Sequence, residues 1–153
     1  MKKLLLVALL LPSLAIADGL PNAKLTAGAL NPNVTTGNIK STVCVPNYTA
    51  TIRPPSYYTN KLKLKQIKEY GYVDKDPKHY EEDHLIPLSV GGAPSDPANL
   101  WPEPRYGVNH AAKKDVLESW AHRAVCKGTL NLKTAQDMFA TDWVAGYNKY
   151  IKK

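Results

Sequence analysis

The chain has 153 residues, with 20 Lys and Arg against 13 Asp and Glu, and 44% of it is hydrophobic. That balance is too apolar for a disordered chain and suits a single domain with one core. The formal net charge of +7 argues against an acidic partner-repelling surface and favours polyanions, but it selects no particular one.

Residues 1–17 read as a secretory signal peptide. Lys2 and Lys3 precede an apolar run from Leu4 to Leu14, interrupted by Pro12 and Ser13, and Ala15-Ile16-Ala17 is an A-x-A cleavage site. The run is shorter than the ~20 apolar residues a spanning helix needs. No Cys follows it to mark a lipoprotein. The expectation is an exported protein, periplasmic or extracellular, with no membrane attachment after cleavage.

Residues 18–41 are rich in Gly, Pro, Asn and Thr and predict an irregular N-terminal arm. Residues 42–52, β-branched around Cys44 and Tyr48, predict a short strand stopped by Pro54-Pro55. A helix is expected over 59–70, with Thr59 as N-cap, Gly71 past its end, and Leu62, Ile67 and Tyr70 turned inward. Its Lys61, Lys63, Lys65 and Lys68 read as a solvated face, with phosphate contact as the sharper alternative.

After a polar turn, residues 80–88 predict a strand and 89–98 a loop holding Gly91, Gly92, Pro94 and Pro97. Residues 99–101 predict a second strand stopped by Pro102 and Pro104. A helix over 109–125 follows, with Val116, Leu117, Trp120, Ala121 and Ala124 on one face and Gly128 as terminator. Lys113 falls inside that apolar arc. A last helix over 132–147 starts at Asn131 and carries Leu132, Gln136, Phe139, Trp143 and Tyr147 on a core-facing stripe.

The two cysteines, Cys44 and Cys126, most simply form one disulfide in an exported chain. Free buried thiols or metal ligation are the alternatives, and the C-x-x-C spacing of a zinc site is missing. Closing so long a loop contributes about 4–5 kcal/mol in the chain-entropy model.

The chemistry concentrates in one segment. Asp83-His84 precedes Leu85-Ile86-Pro87, Gly91-Gly92 turns the chain, Asn99-Leu100-Trp101-Pro102 follows, and Asn109-His110 opens the next helix. An acid, an imidazole, an amide and a second imidazole can hold one metal ion and supply one base. Taken singly, Asp-His is a common dipeptide, Asn99 a turn residue and His110 a helix cap.

In order and spacing, this segment resembles the HNH, or ββα-metal (His-Me finger), endonucleases. Segments 99–102, 114–118 and 125–128 extend the likeness to small secreted HNH proteins. The resemblance implies a small α+β domain over 42–153, built on a ββα-metal core at 80–126 with additional helices. It implies His84 as general base, Asp83 and His110 as metal ligands, and Asn99 as the brace that orients His84. A one-residue shift would make Asn109 the ligand instead of His110.

The implied cofactor is one divalent metal: Mg, Mn, Ni, Co or Zn. Lys113, Lys114 and Arg105 are candidate contacts to substrate phosphate, or else plain surface charge. Glu81 reads as surface, with a metal-assisting role as alternative, and His79 and His122 receive no role. Adjacent strand residues face opposite ways, so Asp83 and His84 must sit at an irregular strand end or flank a phosphate from two sides.

The function implied is hydrolysis of nucleic-acid phosphodiesters, DNA favoured, with low sequence specificity and a monomeric enzyme. The rivals are a non-catalytic basic binding module with a degenerate HNH core, and an antibacterial nuclease toxin with an immunity partner.

Overall fold

The computed structural model describes residues 19–152, so the expected signal peptide lies outside the described residues. Over the described residues the chain folds as a small α+β domain with four α-helices and one two-stranded antiparallel sheet. No helix among the described residues is long and apolar enough to cross a membrane.

The arm is irregular as expected, but it is anchored. Leu30 bridges to Gly92, Thr26 Oγ1 donates to the Leu100 carbonyl at 3.1 Å, and Trp143 Nε1 donates to Gly19 O at 2.9 Å. Residues 42–52 do not form the expected strand. Asn47 takes a left-handed conformation (φ 64°) and starts a short helix, α1 (Tyr48–Ile52). The β-branched residues were a misleading signal there, because the Pro46-Asn47 turn overrides a weak strand preference.

Helix α2 (Ser56–Glu69) buries Leu62, Gln66 and Ile67. Its Gln66 Nε2 donates to the Leu100 carbonyl at 2.8 Å, tying it to the sheet. Strands β1 (Tyr80–His84) and β2 (Leu100–Pro104) pair with Asp83 opposite Trp101 and His84 opposite Leu100.

Pro102 and Pro104 lie inside β2 rather than stopping it. Arg105 N donates to His79 O at 2.8 Å, so the inward-facing amides fall on odd positions. The prolines therefore take the outward positions, where a two-stranded ribbon needs no donor.

Helix α3 (Ala111–Lys127) ends at Gly128, whose φ of 78° is the left-handed cap expected there. Its buried residues include Lys114, Leu117, Ala121, Ala124 and Val125. Val116, expected inside, is exposed, and Trp120 stacks on Tyr150 at 4.3 Å between ring centroids. Helix α4 (Leu132–Tyr150) breaks at Asp142, whose carboxylate accepts from Ala145 N at 2.9 Å and so caps the second half.

The stripe of Leu132, Gln136, Phe139 and Trp143 is buried as read. Trp101, Trp143, Phe139 and Leu117 fill the main core. Cys44 and Cys126 are bonded, with Cα atoms 5.6 Å apart, fastening the segment before α1 to the end of α3.

Candidate active site

β1 runs out at His84, and the chain then turns through a 3-10 segment at Leu88–Val90. At that strand end Asp83 and His84 line one cleft of about 210 Å³, together with Thr49, Arg53, Ser89, Glu118, Ser119 and His122. The problem of adjacent residues facing opposite ways is thus met where the regular strand stops.

His84 is 4% exposed. Its Nε2 lies 2.9 Å from the Pro94 carbonyl oxygen. A carbonyl can only accept, so Nε2 carries the proton and a neutral ring keeps Nδ1 as its acceptor. Burial holds the His84 pKa below its ordinary value, with the positive charges of Arg53 and Lys114 adding to the effect against Pro94 and Asp83. The ring is therefore neutral near pH 7, the form a base requires.

Asn99 braces the loop that presents Pro94. It is fully buried, accepts from Ile86 N at 2.9 Å, and donates to Ile86 O and Ala93 O, each at 3.0 Å. The backbone of the same residue accepts from Leu85 N at 2.8 Å. One side chain thus fixes both flanks of the turn between His84 and Pro94. Gly92 is needed there, since a Cβ would sit 1.8 Å from the Ile86 carbonyl oxygen and 2.8 Å from Asn99 Nδ2.

Lys114 is not a surface contact for phosphate. It is fully buried, and its ammonium donates to Asp83 Oδ2 at 2.5 Å, to the His84 carbonyl at 2.8 Å, and to Glu118. A lysine can be buried here because its charge is matched, which hydrophobic periodicity does not register.

Burial opposes the charge on both Asp83 and Lys114. Their mutual attraction prevails, holding Asp83 below the carboxylate range and Lys114 well above the usual amine value. Burial pushes Glu118 up to about 7 and holds Glu103, also beside Asp83, well above the ordinary carboxylate range.

The remaining expected residues are dispersed. His110 is the N-cap position of α3, half-buried, and makes no side-chain capping bond. It is not among the residues lining the Asp83–His84 cleft. Asn109 accepts from Lys113 Nζ through Oδ1 at 2.9 Å, and that ammonium also lies 4.9 Å from the Tyr147 ring centroid. Arg105 pairs with Glu81 at 3.1 Å on the rim.

Reading the sequence missed Arg53, Glu118 and His122. Only Glu118 had a visible signal, its i,i+4 spacing from Lys114. His122 Nε2 donates to the Val43 carbonyl at 2.9 Å, a contact that depends on the disulfide-fastened segment lying across α3.

The donor set bears on a metal. Among the described residues no three His, Cys, Asp or Glu side chains converge into a closed metal site. Asp83 keeps 17% of its side chain exposed, with one oxygen committed to Lys114. Asp83 is the expected ligand that lines this cleft and His110 is outside its lining, so the residues here fit only an open site in which substrate phosphate and water fill most of the shell, as hard divalent ions accept. Compared with known proteins, the chain matches no family model, no curated protein and no solved structure.

Proposed function

We propose that this chain is an exported, metal-dependent endonuclease of the HNH type that hydrolyses phosphodiester bonds of nucleic acid, DNA favoured. The observation that carries the reading is His84: a buried, neutral imidazole, its Nε2 fixed on the Pro94 carbonyl, beside an ionised Asp83 at the floor of a cleft.

In this reading His84 Nδ1 removes a proton from water as the water oxygen bonds to phosphorus. The bond from phosphorus to the 3′ oxygen breaks, giving a 5′-phosphate and, after that oxygen gains a proton, a 3′-hydroxyl. Asp83 would hold the divalent metal, and His110, outside the cleft lining, is the second ligand this reading requires; the ion would supply positive charge to the phosphate and the departing oxygen. His110 is preferred to Asn109, whose amide oxygen is already engaged by Lys113. Lys114 holds Asp83 in place, and Asn99 keeps the Pro94 carbonyl under the His84 ring.

The test uses supercoiled plasmid. The protein should nick it, a chelator should stop the reaction, and His84→Ala should lower the rate by about 10²–10⁴-fold. Nicking that survives both treatments would reject the mechanism. Retardation of DNA without any nicking would favour the binding-module reading instead.

A further inference from the structure

We propose that Arg53 binds a backbone phosphate of the nucleic acid at the mouth of the Asp83–His84 cleft. This rests on the nuclease reading and adds a substrate contact from outside the strand–loop–strand–helix segment.

The cationic side chains nearest the reacting pair are mostly engaged. Lys114 is buried against Asp83 and Glu118, Lys113 is held by Asn109 and Tyr147, and Arg105 pairs with Glu81. Arg53 lines the same cleft as Asp83 and Glu118, yet it forms no ion pair or side-chain hydrogen bond among the described residues. Its guanidinium is exposed, close enough to His84 to act on it electrostatically, and still has its donors to offer. Five N–H donors in a planar fork match phosphate oxygens two at a time.

The surroundings suit an anion. The cleft wall next to Arg53 carries neutral donors, the hydroxyls of Thr49, Ser89 and Ser119. The backbone is held ready. Arg53 N donates to Thr49 O at 3.1 Å, and Arg53 itself is extended (φ −63°, ψ 130°), the conformation that the following Pro54 imposes. The segment carrying it is fastened to α3 twice, by the Cys44–Cys126 bond and by the His122 bond to Val43. The backbone at Arg53 therefore needs little ordering on binding.

The experiment measures binding of a short labelled DNA duplex across a salt series in a His84→Ala background, and plasmid nicking in the active protein. Arg53→Met should reduce the salt slope of binding by about one. It should lower kcat/KM for nicking by roughly 10–100-fold, as loss of a charge-assisted contact does. Arg53→Lys should restore the slope but only part of the rate. The melting midpoint should not move, since Arg53 has no ion-pair or side-chain hydrogen-bond partner to lose among the described residues. A nicking wild type whose Arg53 variants match it in slope and in kcat/KM overturns the proposal alone. A wild type that neither binds nor nicks overturns the nuclease reading and this proposal with it.

Discussion

Glu82 and Asp83 are neighbours on β1 and meet opposite fates on its two faces. Asp83 faces the Lys114 ammonium and stays ionised. Glu82 turns the other way, both its carboxyl oxygens are buried without a hydrogen-bond partner among the described residues, and burial pushes its pKa up to about 8. Burial is common to both, so the partner decides the charge. A third acid on the strand, Glu81, pairs with Arg105 at the exposed rim. The strand thus presents three settings for a carboxylate within three consecutive residues.

Breaking the matched side should have the largest effect. Lys114→Met strands Asp83 and Glu118 without their cation and should cost about 3–5 kcal/mol, read from urea denaturation. Adding Asp83→Asn should recover part of the loss. A single variant as stable as the wild type would mean that the ammonium does not hold the cluster together.

The unmatched side predicts a pH dependence. The native Glu82 pKa is raised, so between about 4.5 and 8 the folded protein holds a proton that the unfolded chain has released. Stability from this group is therefore complete at low pH and is lost as pH rises, by up to about 4 kcal/mol. Glu118, raised to about 7, slopes the same way. Glu82→Gln should flatten its share, seen as urea midpoints at pH 5 and pH 8 that lie closer together than in the wild type.

Asn99→Ala tests the brace behind the pair. It orphans buried backbone groups at Ile86 and Ala93 and should cost about 2–3 kcal/mol; under the proposed function it should lower plasmid nicking as well. An unaltered melting midpoint would sink that account. The smallest effect belongs to the rim: Arg105→Ala should change stability by under about 1 kcal/mol, because exposed ion pairs contribute little. A loss as large as that of Lys114→Met would erase the contrast between rim and interior.

The helices were legible where one periodic stripe met one core, as with Leu132, Phe139 and Trp143 in α4. The strand–loop–strand–helix order was legible too, because its turn residues are punctuated by Gly and Pro. What the sequence hid was pairing across elements. Periodicity placed Val116 inside and left Lys114 as surface charge, since it weighs each side chain alone and cannot see Asp83 arriving from β1. Arg53 and His122 were hidden for a similar reason. His122 lines the cleft from α3 itself, one turn past Glu118, and Arg53 enters it from the segment that the Cys44–Cys126 bond fastens to α3; the sequence indicates that such a bond can form without saying what it brings together.

Gly92 has a consequence for genetics. Any side chain there collides with the Ile86 carbonyl and the Asn99 amide that together seat Pro94 beneath the His84 ring. If the proposed activity holds, a random-mutagenesis screen for inactive clones should therefore score position 92 beside His84, the proposed base, although it contributes no reacting group. What the fold requires of that position is empty space.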